Sequence, residues 1–439
     1  MRAIAEVGLS AELAAATAGR QPVTIGLVGA GQMGIDLMVQ LRLMKGIRLG
    51  AISGRRLDLL KASAETAGYR EDDFVVSGCG TAVDRSIEMG RLALAENYES
   101  LCAAGRVDVV IDATGNPNTG ASIALTAMKH GKHIVMLNVE ADITIGRFLK
   151  AEAARAGIIY TGAAGDEPTS TLEIIGFAQS LGLDIIAAGK GKNNALKFDA
   201  MPEDYEEEAR TRNMNGRMLV EFVDGTKTMV EMTALANATG LVPDVPGMHG
   251  PAASIDDLAG VLCTREDGGI LSQAGVVDYS IGKGVAPGVF CVVKPRHPRV
   301  IERMTDLKVG PGPCYTLYRP YHLTSLEVPL SALKAVLRGI PDMQPLDRPV
   351  AECVAVAKRD LNPGDVLGRI GQRDYRGFAM QWGEARDGRL VPIGLAEKAR
   401  VVKPIRFGEK LTYDNCVPDE GLAITQIRRR LDQADAVFA

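Results

Sequence analysis

The sequence predicts an α/β chain: a doubly wound parallel sheet at the N-terminus, an α+β region after it, and a small β-rich module at the C-terminus. Three observations predict it. A β-branched run, Val23–Val28, empties into Gly29-Ala30-Gly31-Gln32-Met33-Gly34 and then turns helical. Apolar strand signals alternate with alanine-rich helical ones as far as residue 190, the pattern of a parallel sheet covered on both faces. Prolines then cluster at 341, 345 and 349, and two strand-like runs with similar glycine turns follow, in 351–371 and 399–416.

Taken in order, the alanine-rich start with Glu6 and Glu12 reads as a helix rather than a signal peptide. Strands are expected at 23–28, 48–52, 74–77, 108–113, 133–138, 158–161 and 184–188, with helical stretches at 56–67, 82–95, 122–130 and 146–156. The tail 421–434 reads as a closing helix with a basic stripe at Arg428–Arg430. These features divide the chain into 1–165, 166–345 and 346–439.

The glycine turn carries chemistry because of where it stands. The first glycine permits a tight turn, the second lets backbone approach a pyrophosphate, and the third lets the helix pack closely on the strand. The helix start adds free N–H groups and a positive dipole end. A Rossmann-type dinucleotide site is therefore expected at Gly29, Gly31, Gln32, Met33 and Gly34. An NAD-specific site ends the second strand with a carboxylate. Here Ser53, Arg55 and Arg56 occupy that place and the first acid is Asp58, a set that suits a 2′-phosphate and so NADPH. A parallel sheet binds ligands at the carboxyl ends of its strands. This adds Thr114, Gly115, Asn116 and Asn138 to the cofactor set.

Past residue 190 the character changes. Gly189-Lys190-Gly191-Lys192 sets two lysines at a strand end with no acid alongside, which suits a phosphate or carboxylate or, equally, a solvated loop. The loops 237–243 and 247–251 are rich in glycine and proline, and the second holds His249. A third, 312–323, holds three tyrosines with Arg319 and His322. Lys190, Lys192, Arg319, Tyr321 and His322 are the candidate catalytic residues, as anion contacts and proton donors. Glu140, Asp166 and Glu167 follow strands and are candidate ligands of a divalent cation, magnesium or manganese, or else they orient lysines and cap helices.

Composition limits the alternatives. The 439 residues are 46% hydrophobic and 24% charged, with a net charge of −4, so no basic field argues for nucleic acid or an anionic membrane. Seven scattered cysteines without a CxxC pair suggest reduced thiols, as in a cytoplasm. No run of 18 apolar residues is present, so no transmembrane helix is expected.

The stretches 23–34, 137–142, 165–168, 189–192 and 317–323, with the two C-terminal glycine turns, resemble the homoserine-dehydrogenase-like oxidoreductases that carry a C-terminal SAF domain. The resemblance implies a homodimer acting on a small phosphorylated or carboxylated substrate with NADPH. Within that group it points to reductoisomerase chemistry, 1-deoxy-D-xylulose 5-phosphate to 2-C-methyl-D-erythritol 4-phosphate. The chain lacks the glycine-serine-threonine nucleotide loop of ordinary reductoisomerases, and their metal carboxylates have no aligned counterparts in it. Oxidation of homoserine or another small hydroxy acid, and a non-enzymatic NADP(H)-binding sensor, are the competing expectations.

Overall fold

The computed structural model describes residues 4–19, 21–211 and 215–437. They form two compact units. The first holds the chain up to Asp142 with Phe148–Asp166 and Leu323–Gln344; the second holds Ile143–Arg147, Glu167–His322 and the chain from Pro345 onward.

The first unit is built on a seven-stranded parallel sheet. Its strands are β1 (Val23–Val28), β2 (Ile47–Ser53), β3 (Phe74–Val76), β4 (Leu92–Ala95), β5 (Val109–Asp112), β6 (His133–Met136) and β7 (Tyr160–Gly162), in the order β3-β4-β2-β1-β5-β6-β7. Every residue of β1, β4 and β5 is buried, as expected of strands covered on both faces. The helix Gln32–Leu43 turns Leu37, Met38 and Leu41 onto this sheet. The helix Val328–Arg338 contributes Val328, Ala332 and Leu333 to the same core as Ile25 and Leu27. Each such leucine is worth roughly 1.5–3 kcal/mol of burial.

One stretch departs from the expected pattern. Residues 82–95 were expected to be one helix, yet the helix Gly80–Glu88 stops and Leu92–Ala95 forms β4 between β2 and β3. Gly90, in the left-handed region at φ 72°, breaks the helix. Leu92-Ala93-Leu94-Ala95 has helical propensity, but burial on both faces of the sheet overrides it.

The second unit carries a mixed five-stranded sheet. It contains β8 (Asp184–Gly191), β9 (Val242–Pro243), β10 (Val276–Ser280), β11 (Val289–Lys294) and β12 (Tyr315–Arg319), in the order β12-β11-β8-β10-β9. The strand expected at 184–188 thus belongs to this sheet, and it runs on through Lys190 to Gly191. The helices Glu167–Ser180 and Thr226–Thr239 pack on this sheet and on each other.

Residues from Pro345 onward add an antiparallel ribbon, β13 (Ala351–Ala357) and β14 (Tyr375–Gln381), and a closing helix, Ala423–Val437. Asn237 ties the ribbon to the helix Thr226–Thr239: its Nδ2 donates to Ala351 O at 3.1 Å, and its Oδ1 accepts from Val350 N at 2.9 Å and Ala351 N at 3.0 Å. A fully buried ion pair, Lys358 Nζ to Asp224 Oδ2 at 2.9 Å, ties it again. The expected basic stripe on the closing helix is broken at Arg428, which is buried and paired with Glu352 at 2.6 Å and Asp432 at 2.8 Å.

Candidate active site

The turn after β1 has the geometry a dinucleotide needs. Gly29 sits at φ 113°, and a Cβ there would lie 2.6 Å from Ala113 O. A Cβ on Gly34 would lie 2.2 Å from Gly29 O. Both positions exclude a side chain because the protein itself fills the space. Gly31 differs: a Cβ there would meet nothing within 4 Å, so the open space before it is free for a ligand. Gln32 and Met33 begin the helix, whose N-cap Gly31 supplies no capping side chain, and the first N–H groups of a helix have no intrahelical acceptor.

At the end of β2, Ser53 is buried and its carbonyl accepts from Gly29 N at 3.0 Å, which fixes the turn. Arg56 is engaged by Asp58, with Nη2 to Oδ2 at 2.5 Å, and both side chains are exposed. Arg55 is exposed and has no ion-pair partner among the described residues. It is the guanidinium available there.

The residues expected beside the nicotinamide brace the strand ends. Asp112, buried at the end of β5, accepts from Thr114 N at 3.0 Å and from Asn138 Nδ2 at 3.2 Å. Burial pushes its carboxyl up to about 6. Asn138 also donates to Asn116 O at 2.8 Å and caps the helix Val139–Ala156 through Ala141 N at 3.2 Å. Asn116 caps the helix Pro117–Lys129 through Thr119 N at 2.9 Å. Gly115 turns the chain between them at φ 60°. Their backbone and caps hold the loop at the carboxyl end of the sheet. Glu140 is buried in the first turn of the helix Val139–Ala156.

The second unit assembles a different cluster around β8. In Gly189-Lys190-Gly191-Lys192 the glycines take one face of the strand and the lysines the other. A Cβ on Gly189 would lie 1.6 Å from Asp278 O, and one on Gly191 would lie 2.3 Å from Ala286 N. The glycines are there because neighbouring backbone passes against them, and that packing sends both lysines to the opposite face. Register then recruits a third cation. Lys190 pairs across β11 with Val289, and Val289 pairs with Arg319 on β12, so Lys190 and Arg319 occupy one row two strands apart, roughly 10 Å.

Two helices bring carboxylates to that row. Glu167 opens the helix Glu167–Ser180 and Glu231 lies in the second turn of the helix Thr226–Thr239. Lys190 Nζ donates to Glu167 Oε1 at 2.5 Å and also to Glu231 Oε2. Burial works against the Lys190 charge, but the two carboxylates outweigh it and hold its pKa above the usual lysine value. His322 Nε2 lies 3.4 Å from the same Glu167 oxygen. Lys227 Nζ is 3.5 Å from Glu231 Oε1. Asp166 directly precedes Glu167 in the chain.

Lys192 is different. It is buried, and its Nζ donates to Asn194 O at 2.5 Å and Asn194 Oδ1 at 2.9 Å, with no carboxylate in contact. Burial, with Lys190 nearby, lowers its pKa to about 8. Arg319 donates to Glu173 at 2.9 Å and its guanidinium stacks 4.9 Å from the Tyr321 ring, which is half exposed.

Of the expected site residues, Lys190, Arg319, Tyr321, His322 and Glu167 are therefore linked through contacts or one sheet row. Glu231, which is not among the expected residues, joins Glu167 at Lys190. Sequence reasoning missed Glu231. Its signal was a lone carboxylate in the apolar stretch Met229-Val230-Glu231-Met232, where an unpaired acid would be costly. The cluster can bind an anion through its cations, hold a hard divalent cation through its carboxylates, and move a proton through Lys192.

Comparison with known proteins agrees with this division of labour. Residues 29–161 match the family model described as the NAD binding domain of homoserine dehydrogenase. Residues 165–328 match the one described as the catalytic domain of oxidoreductase DRL. No curated protein matches the chain. Among solved structures, the chain is similar to a 3-ketoreductase from Actinomadura kijaniata in complex with TDP-benzene and NADP (16% identity, 40% of this chain and 48% of that chain, TM-score 0.29). It is also similar to a protein from Thermotoga maritima described as a probable dehydrogenase (16%, 72% and 90%, 0.41). A DOX-P reductoisomerase in complex with magnesium matches at 16%, over 48% of this chain and 56% of that chain, with a TM-score of 0.33. The chain thus spans about half the length of the ketoreductase and of the reductoisomerase. The two domain matches make it an NAD(P)-dependent oxidoreductase. No helix among the described residues is long and apolar enough to cross a membrane.

Proposed function

We propose that the chain is an NADPH-dependent reductoisomerase, converting 1-deoxy-D-xylulose 5-phosphate and NADPH with a proton into 2-C-methyl-D-erythritol 4-phosphate and NADP. The observation that carries this reading is the buried charge cluster of Lys190, Glu167 and Glu231, with Lys192, Arg319 and His322 around it. A substrate with a phosphate, a ketone and a vicinal diol needs an anion anchor, an electrophile and a proton shuttle close together. A simple hydride transfer to a ketone without a phosphate or diol would need less.

The carboxylates fit a hard cation such as magnesium or manganese, since they offer only oxygen donors and already surround an ammonium. Such an ion, held by Glu167 and Glu231, would polarise the ketone oxygen and favour rearrangement. Arg319 is the anchor for the phosphate, exchanging Glu173 for it. Lys192, lowered to about 8 by burial, donates the proton to the new alkoxide as hydride arrives. Arg55 selects NADPH by meeting the 2′-phosphate that no carboxylate at the end of β2 repels.

Homoserine oxidation is the second reading, favoured by the family match over residues 29–161. The two separate in one assay. Purified protein with NADPH, manganese and 1-deoxy-D-xylulose 5-phosphate should lose absorbance at 340 nm while NMR shows the branched product. Turnover of homoserine with NADP, and none of the sugar phosphate, would replace this reading with the second.

A further inference from the structure

Strand β14 carries a buried cation that no carboxylate answers. Arg376 is 8% exposed, and its one hydrogen bond among the described residues is a local one, from Nη1 to Gly377 O at 3.3 Å. The nearby carboxylate is that of Asp224, and it is already spent. Its Oδ2 accepts from Lys358 Nζ at 2.9 Å and its Oδ1 from Thr226 N at 2.9 Å. The Arg376 guanidinium rests 3.9 Å from the Phe198 ring and 5.5 Å from the Phe378 ring. Rings cover the faces of a guanidinium and leave its edge N–H groups to find acceptors. A guanidinium stays charged, and a buried charge without a counter-charge is costly.

Two further donors stand near it in the same unit. Tyr279, on β10, is 4% exposed, and its hydroxyl has no hydrogen-bond partner among the described residues. Gly250 makes room for that hydroxyl: a Cβ there would lie 2.3 Å from the oxygen. Arg376 is close enough to act on the phenol's charge, yet burial holds the phenol up at about 12, so it remains a donor across neutral pH. Lys410 is the second cation. Arg376 pairs with Val356, and Val356 bridges to Lys410, so the two cations share one face of one row. The Lys410 Nζ lies 5.8 Å from the Phe378 ring, with no carboxylate within ion-pair distance among the described residues. Unlike the Tyr413 hydroxyl, neither the remaining guanidinium nitrogens nor the Tyr279 oxygen is sealed off, so both face open space.

We propose that Arg376, Tyr279 and Lys410 form an oxyanion site that takes a phosphate group. Donors on three separate strand or loop segments suit a tetrahedral dianion better than a flat carboxylate, and two cations match its charge. The site is distinct from the Arg319 anchor: register sets Tyr279 beside Lys190 on the side away from Arg319. It stands whether or not the reductoisomerase reading holds, and no covalent step is involved.

Inorganic phosphate is titrated into the full-length protein at constant ionic strength and read by calorimetry and by phosphorus NMR line width. Acetate is the control. Phosphate should bind saturably and at least about tenfold tighter than acetate, the margin of one further charge-assisted hydrogen bond. Arg376→Met should weaken phosphate by about tenfold or more, and Tyr279→Phe and Lys410→Gln by smaller factors. Phosphate should also raise the Tm of the parent and not that of Arg376→Met. Arg319→Met should keep this binding event, which separates it from the anchor proposed above. Should Arg376→Met fail to fold, the Tyr279→Phe and Lys410→Gln variants decide. No saturable binding, equal affinity for phosphate and acetate, a loss that follows Arg319 alone, or Tyr279→Phe and Lys410→Gln variants that both bind as the parent does would each overturn the proposal.

Discussion

Replacing Lys190 with methionine removes the ammonium that bridges two carboxylates inside the second unit, leaving the longer contacts of Glu231 to Lys227 at 3.5 Å and of Glu167 to His322 at 3.4 Å to answer them. The Glu231 side chain is 1% exposed and that of Glu167 is 11% exposed, so water cannot take over the role. Removing one partner of a buried ion pair costs about 3–5 kcal/mol, because the remaining charge is stranded rather than because the pair itself was worth that much. For a unit of this size the cost corresponds to a fall in Tm on the order of 10 °C. The pH dependence carries a sign. The folded pKa of Lys190 is raised above the unfolded value of about 10.4, so its contribution is complete at neutral pH and is lost only as pH rises through the folded value. In the methionine variant the stranded carboxylates can relieve their repulsion by taking up a proton, so the deficit shrinks as pH falls. Thermal unfolding followed by circular dichroism at pH 7.5 and pH 5 measures both effects. The double variant Lys190→Met/Glu231→Gln should recover most of the loss, since one of the two stranded charges is gone. A single variant within about 1 °C of the parent, or a deficit unchanged between the two pH values, would refute the buried-cluster argument.

Three further outcomes are expected. Arg55→Glu should raise the KM for NADPH by about 10- to 100-fold and leave NADH nearly untouched, because it removes a charge-assisted contact to the 2′-phosphate alone; steady-state kinetics with both cofactors decide it, and equal losses contradict it. With Lys192 lowered to about 8, kcat/KM should fall about tenfold per pH unit above that value, the ammonium being the active form. Lys192→Arg should move this limb upward because arginine stays charged, and a limb that does not move assigns the titration elsewhere. Gly31→Ala and Gly34→Ala should separate ligand space from packing. The first keeps the parent Tm and loses NADPH affinity by calorimetry, whereas the second, with a Cβ 2.2 Å from Gly29 O, loses thermal stability as well.

The glycine turn between β1 and its helix was legible in the sequence because its signals are local. A β-branched run, a glycine turn and an amphipathic helix lie within twenty residues, and each glycine has a steric reason that neighbouring sequence implies. β4 was not legible, because Leu92–Ala95 has helical propensity and only its slot between β2 and β3 makes it a strand. Gly189-Lys190-Gly191-Lys192 was visible as a cationic stretch, but its glycines read as loop. They are strand positions passed closely by Asp278 and Ala286, which lie near it only in the folded sheet.

The sequence by itself determined the α/β class, the parallel sheet with its phosphate turn, and the absence of a carboxylate where an NAD-specific chain would carry one. Tertiary structure alone decided which charges meet. Glu231 joins Lys190 from 41 residues away, and Arg319 shares its row from a strand 129 positions on. The reason is physical: propensity and turn chemistry act over a few residues and leave their mark in the order of amino acids. A buried ion pair depends on sheet register and helix packing, which are fixed only when the whole core closes.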